Sequence, residues 1–354
     1  MYPKLEININ GIVQNMLQVK ELCEKRRIEL SLVTKGLGGN LEVVRALVEA
    51  GVNRICDAHV QNLKTFKDLN VEKVYLREPS ISDVSGVITY SDISMNSEIV
   101  TLRALNEEAE KQGKIHKVIL MYELGDLREG ANREELELLI EETKKLDNIE
   151  LYGLGANLSC YGAIMPSEDN MKDLENTAME LEKKHDIKFK IISGGNSTSY
   201  DMLVNGELPD RINDLRIGEL ILLGNIPCVE KRAPQLNYNN FTLKAQIVEI
   251  KEKPSVPWGI VGGVNSFGEI PETGENRGNR IRAILAIGKQ DVGIKEIKPD
   301  DDKVLILDGS SDYFILDITD SERNYSVGDI VSFKPTYGAM LHLMTSTYVE
   351  KEII

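Results

Sequence analysis

Between residues 29 and 217, short β-branched apolar runs give way about eight times over to charged, amphipathic stretches of helical length. That alternation is the pattern of repeated βα units, whose strands must lie side by side in parallel. The runs cover residues 29–34, 53–57, 73–76, 87–90, 117–123, 149–155, 188–192 and 214–217, and helical stretches such as 41–50, 98–112 and 133–146 separate them. Eight parallel strands fit a closed (β/α)8 TIM-type barrel better than an open doubly wound sheet, which has fewer strands and a Gly-rich first turn. No Gly-x-Gly-x-x-Gly follows the first run. In such a barrel the functional residues gather on the C-terminal face, where strands end and loops begin.

At 354 residues the chain is longer than one barrel needs. Near Pro227 the texture changes to Pro, Asn and Gly turns between short strand-like runs, at 242–250, 280–286, 303–307, 313–317 and 329–333. Residues 1–228 therefore read as the barrel and residues 229–354 as a mostly-β C-terminal domain. Residues 259–279, rich in Gly, Glu and Asn, read as a long loop suited to an interface. His342, among Met340, Leu341, Leu343 and Met344, reads as packing of the last strands.

A net charge of −15 repels phosphate backbones and anionic headgroups, and no basic cluster offsets it. Nucleic acid and membrane are excluded as partners on that ground. The N-terminal residues form no apolar run, so no signal peptide or spanning helix is expected and the compartment expected is the cytoplasm. Cys23, Cys56, Cys160 and Cys228 lack Cys-x-x-Cys spacing and read as free buried thiols. The four histidines are dispersed, and nothing has metal-ligand spacing.

The first apolar run delivers a lysine to the barrel mouth in Leu32-Val33-Thr34-Lys35-Gly36. A lysine desolvated there is a candidate nucleophilic amine. The sixth and seventh runs end in Gly153-Leu154-Gly155-Ala156-Asn157 and Ser193-Gly194-Gly195-Asn196-Ser197, the eighth in Arg216-Ile217-Gly218-Glu219. Glycines let backbone N–H groups approach a phosphate, and loops after the last strands are the usual phosphate site of this barrel.

Taken in order, these segments resemble the alanine racemase family of pyridoxal 5'-phosphate barrels (fold type III), and more closely its alanine/ornithine racemase branch. The resemblance runs the length of the chain. It implies that Lys35 is the residue that holds the cofactor, that Arg216 faces the pyridine nitrogen, and that Asn196, Ser197, Gly218 and Glu219 hold the phosphate. In Glu123-Leu124-Gly125-Asp126-Leu127-Arg128-Glu129-Gly130 it makes Arg128 the arginine near the cofactor and the substrate carboxylate. Gly309-Ser310-Ser311-Asp312 resembles the segment that reaches into the neighbouring subunit, so a head-to-tail homodimer is implied. Tyr348 resembles the tyrosine that closes over the phosphate.

Asn157 stands where the family stacks a histidine under the ring, Gly39 where it has a tyrosine, and Lys289 where it has its second-base tyrosine. Racemisation needs an acid/base on each face of a planar carbanion. Opposite Lys35 the candidates are Lys289, Ser311 and Tyr337. Asp312 is a candidate partner for a basic side chain. An arginine at 216 keeps the ring nitrogen unprotonated and suits proton transfer, whereas a decarboxylase of this fold is expected to place glutamate there. The expected activity is racemisation of an amino acid, with ornithine or another basic one ahead of alanine. The rival readings are a D-amino acid lyase or dehydratase of the same fold and a non-catalytic cofactor carrier.

Overall fold

The computed structural model describes residues 1–229, 231–270 and 274–354. It divides into two compact units, Ile9–Asn240 and a second formed by Met1–Asn8 with Phe241–Ile354. The opening strand β1 (Lys4–Ile7), grouped with the barrel in sequence, lies in the second unit: it pairs antiparallel with Phe241–Pro254 and parallel with Glu350–Ile353. Its pattern explains why. Leu5 and Ile7 are fully buried while Lys4 and Glu6 point outward to Glu352 and Lys244, the one-sided alternation of an antiparallel sheet and not the continuous apolar run of a barrel strand.

In the first unit eight parallel strands close on themselves. They are β2 (Glu29–Val33), β3 (Arg54–Asp57), β4 (Glu72–Tyr75), β5 (Ile93–Asn96), β6 (His116–Tyr122), β7 (Ile149–Ala156), β8 (Ile191–Gly194) and β9 (Asp214–Ile217), with β9 returning to β2. The helices between them bury one apolar stripe each against the outside of the strands, as Val43, Val44 and Leu47 do on Leu41–Glu49. Caps fix where the helices begin. Asn40 accepts from the Val43 N–H at 3.1 Å, and Asn132 and Ser167 form capping boxes with Glu135 and Asn170.

Residues 87–90 are not a strand but the end of helix Val84–Tyr90, which buries Val87 and Ile88; the strand that follows is β5. Its four residues are all buried, and its polar pair bonds internally, Asn96 Nδ2 donating to Ser94 Oγ at 2.9 Å while His116 Nε2 lies 2.9 Å from the same oxygen; Asn96 Oδ1 has no partner among the described residues. Burial pushes the His116 ring down to about 4, so the imidazole stays neutral there.

The second unit is an eight-stranded sheet whose main path runs Ile297–Pro299, Ile330–Pro335, Phe241–Pro254, Asn279–Leu285, Phe314–Asp317 and Leu305–Gly309. The described residues of 259–278 contribute no helix or strand, and Trp258, Ile260 and Ile270 are largely exposed along this stretch. Contrary to the expectation of strands, His342 and its neighbours lie on a helix, Tyr337–Thr345, whose N-cap Thr336 accepts from the Ala339 N–H at 3.3 Å. Ala339, Met340, Leu343 and Met344 bury its inner face.

Asn15, on helix Ile9–Lys25, ties the barrel's last helix to the loop beyond it. Fully buried, it donates to Ile221 O at 2.9 Å and Asn237 O at 2.7 Å and accepts from Asn237 N–H at 2.7 Å. Asn15→Ala leaves these buried backbone groups short of partners, and is expected to lower unfolding stability by about 2–4 kcal/mol, read from the denaturant midpoint.

Candidate active site

β2 hands its last polar contacts to β3: the Thr34 hydroxyl, fully buried, lies 2.8 Å from Asp57 Oδ2 and 3.2 Å from Cys56 O. The chain then turns sharply through Lys35–Leu37, closed by Gly38 in the left-handed region (φ 56). Gly36 and Leu37 are buried and Lys35 is half-buried, so the turn lifts one amine out of the apolar wall at the barrel mouth.

The neighbouring strand end supplies two more groups. β9 runs in register with β2, Leu32 beside Ile217, and a Cβ at Gly218 would stand 3.0 Å from that of Val33. Only glycine allows that approach, which brings Glu219 beside Lys35. Burial pushes the Glu219 carboxyl up to about 7, against the pull of the Lys35 ammonium. A carboxyl raised in the folded state is protonated there between its unfolded value and about 7, so the folded form loses stability as pH rises through that window. Glu219→Gln in the cofactor-free protein should remove this decline, with a relative gain of about 1–3 kcal/mol above pH 7 in thermal unfolding at several pH values.

The loop after β8 turns back onto the loop after β9. Gly195, at φ 100, turns the chain so that the buried Ser197 meets the next loop, where its Oγ accepts from the N–H groups of Gly218 and Leu220 at 3.3 Å. A hydroxyl that accepts two bonds keeps one proton to donate. Asn196 spends its side chain within the protein, Nδ2 donating to Leu158 O at 2.7 Å and Oδ1 accepting from Thr198 N–H at 2.9 Å. It shapes the loop. Asn157, after β7, keeps a buried Nδ2 with no partner, an unused donor among the described residues.

Arg216 points into the barrel and is buried, its Nη2 donating to Ala156 O at 2.6 Å and its Nη1 to Ser193 Oγ. On the loop after β6, the Glu123 carboxylate accepts from the N–H groups of Gly125, Leu127 and Arg128, which accounts for the glutamate and sets where Arg128 emerges. The Arg128 guanidinium is partly exposed and pairs with Glu129. Asp126, also on that loop, accepts from the N–H groups of Cys160, Tyr161 and Gly162, pinning the loop after β7.

Lys35, Asn157, Asn196, Ser197, Arg216, Gly218 and Glu219 thus all lie at or just past the C-terminal ends of β2, β7, β8 and β9. The β-domain gathers its own candidates. A Cβ on Gly288 would stand 2.1 Å from Ser311 O, so glycine packs the 288–291 turn onto the 310–313 loop, and Lys289 N–H donates to Ser310 O at 2.8 Å. Ser311 Oγ donates to Asp312 Oδ2 at 2.6 Å, and Gln290 Nε2 to Asp312 Oδ1 at 3.1 Å. The Lys289 ammonium sits between Glu269 at 2.6 Å and Asp308 at 2.9 Å, with the Phe267 ring 4.7 Å away. Its hydrogen bond to Glu269, then that to Asp308, holds its pKa above the usual lysine value. Tyr348 is 70% exposed and Tyr337 opens the C-terminal helix.

The cysteines divide. Cys23 and Cys56 are buried and pushed up to about 12, which keeps them inert thiols. Cys160 and Cys228 are exposed, contrary to the expectation of four buried thiols: Cys160 lies in the loop after β7, and Cys228, just past the short strand Asn225–Ile226, brings its Sγ to 3.3 Å from Ser159 O.

The family model described as "Alanine racemase, N-terminal domain" matches residues 7–225. The chain belongs to the alanine racemase family. It is 46% identical, over the whole of both chains, to an ornithine racemase of Acetoanaerobium sticklandii. A lysine racemase of Thermotoga maritima is 35% identical over 99% of this chain and 98% of its own. An alanine racemase of Bartonella henselae, solved with covalently bound pyridoxal phosphate, shares the fold at a TM-score of 0.75 and 18% identity, with 99% of each chain covered.

Alanine racemase family enzymes use pyridoxal 5'-phosphate, and this barrel mouth has the complement for it: an amine, a buried guanidinium, a hydroxyl proton and an unused amide donor. Sequence reading missed Ser193 and Asp214, the polar residues inside β8 and β9 that contact Arg216 or its neighbours. Their signal was a polar side chain on a short barrel strand, Ser193 within β8 and Asp214 at the start of β9. Among the described residues no cluster of three or more His, Cys, Asp or Glu is arranged to hold a metal ion.

Proposed function

We propose that the protein is a pyridoxal 5'-phosphate-dependent racemase of basic amino acids, with ornithine preferred and alanine next. The observation that carries this reading is the likeness to an ornithine racemase across both units, not the barrel alone. The bound cofactor supplies the electron sink that makes the α-proton acidic. Lys35 binds it and, once released, holds or moves a proton at Nζ on one face. Ser197 and the Gly218–Glu219 backbone hold the phosphate end, with Asn196 shaping the loop and Asn157 taking the place under the ring; Arg216 meets the ring nitrogen, Arg128 takes the substrate carboxylate, and Tyr348 closes over the phosphate.

The second face is served by a second copy, in a head-to-tail homodimer, through the loop that carries Ser311 and Asp312. The exposure of this loop and of the 258–270 stretch supports that reading. Ser311 is the better base, since its hydroxyl already donates to a carboxylate that can take the proton. Lys289, clamped by two carboxylates, is held as the ammonium and suits a proton donor or a charge that orients Asp308. Asp312 is placed to recognise a cationic side chain. The protein acts in the cytoplasm; among the described residues no helix is long and apolar enough to cross a membrane.

The test is α-deuterium exchange and polarimetry over a panel of L-amino acids with purified protein and added cofactor. Turnover of ornithine at least about tenfold faster than of alanine is expected from a site that pairs the side-chain ammonium. Turnover of alanine alone would refute the basic-substrate reading, and lyase products would refute the racemase reading.

A further inference from the structure

Inside the barrel, below the mouth, a line of polar side chains runs between β9, β8, β2 and β3 where an apolar core is the norm. Ser31, Ser193, Asp214 and Arg216 are each at most 4% exposed. Their hydrogens can be assigned without ambiguity, because a guanidinium only donates and a hydroxyl has one proton. Arg216 Nη1 donates to Ser193 Oγ, so Ser193 must turn its proton to Asp214 Oδ2. The other carboxylate oxygen accepts from Ser31 and, at 3.0 Å, from Arg54 Nη1. Arg54 in turn donates to Glu72 at 2.7 Å, and Glu72 accepts from Lys117 at 3.0 Å.

Counting charges along this line, Arg54 and Lys117 share Glu72 and Asp214, and Arg216 has no carboxylate of its own within direct hydrogen-bond reach in these contacts. Among the described contacts its hydrogen-bonded route to a carboxylate runs through Ser193. Burial acts to lower the Arg216 pKa and Asp214 opposes that, but a guanidinium remains charged. A fixed positive charge is thus oriented by one hydroxyl and one backbone carbonyl, and partly balanced by one shared carboxylate.

We propose that Asp214 is a positioning residue for Arg216: through Ser193 it fixes the guanidinium at the inner end of the site and sets how much positive field that group presents to the cofactor's ring nitrogen. This rests on the reading that Arg216 meets that nitrogen. Groups behind a ligand that orient it and tune its charge are a general device of cofactor sites.

The experiment uses the holoenzyme and its Asp214→Asn, Ser193→Ala and Ser193→Thr variants. Two quantities are read: cofactor affinity by fluorescence quenching, and the pH midpoint of the visible absorption of the cofactor linked to Lys35. Removing the carboxylate makes the site more positive and disfavours a protonated linkage, so Asp214→Asn should lower the midpoint by about one pH unit. Ser193→Ala, which keeps the charge and breaks the bridge, should lower it less. Ser193→Thr should restore it, since Gly155 leaves room for a methyl: a Cβ there would stand 3.4 Å from Ser193 Cβ. If Asp214→Asn fails to fold, the alanine and threonine pair still decides. Midpoints unchanged in all variants, with the parent band intact, would overturn the proposal. A parent protein that binds no cofactor would instead overturn the function on which it rests.

Discussion

Lys35→Ala protein should fold, show no visible absorption from covalently held cofactor, and racemise ornithine at least about 10⁴-fold more slowly than the parent. Folding should survive because Lys35 is half-exposed on a short turn, while the contacts that position the turn belong to Thr34, Asp57 and Gly38. On the proposed assignment two functions should disappear together: the amine that anchors the cofactor, and the acid/base on one face of the substrate. Absorption spectra and an isotope-exchange assay on the same preparation separate them. Added methylamine that restored exchange without restoring a lasting covalent link would show that the proton-transfer role is distinct from attachment. A visible band retained by the variant would remove Lys35 from its assigned place and, with it, the racemase reading.

Much of this was legible because a parallel barrel writes itself plainly in sequence. Strands buried on both faces come out as continuous apolar runs, and the loops after them carry the glycines and polar groups that a phosphate needs. Where the reading failed, side chains worked against their usual pattern. The run ending in Val87, Ile88, Thr89 and Tyr90 is rich in strand-forming residues yet is helical, because burying Val87 and Ile88 on one stripe outweighs a weak local preference. β5 was hidden by Ser94 and Asn96, whose buried bonds to one another and to His116 make a polar pair tolerable in a barrel wall. The helix Tyr337–Thr345 is apolar around most of its circumference and so shows no helical period. The Arg216 line escaped for a different reason. Ser193 and Asp214 are distant in sequence from Ser31 and Arg54, and only closing β9 onto β2 brings them together.

The β-domain offers the sharper test of how the site is completed, and Gly288 is the lever. Any side chain there begins inside the Ser311–Asp312 peptide, with Ser311 O 2.1 Å and Asp312 N 2.4 Å from the new Cβ. Backbone atoms cannot swing aside as a long side chain can, so Gly288→Ala must push the 310–313 loop away, at a cost of about 1–3 kcal/mol in stability. A misplacement near 1 Å in a group that meets the reacting atom lowers rate by about 10²-fold. The expected result is cofactor absorption like the parent's with kcat reduced by about 10²-fold or more. Ser311→Ala should reproduce the loss of kcat without the loss of stability, because its Oγ bonds only to the exposed Asp312 carboxylate among the contacts described. On the proposed assignment Lys289→Ala should cost less, since it removes a clamped ammonium and leaves Ser311, the proposed acceptor of the proton, in place. If Lys289→Ala abolishes exchange while Ser311→Ala retains it, the base is Lys289. If all three variants exchange the α-proton at the parent's rate, this loop does not complete the site, and the second proton-transfer group belongs to the barrel itself.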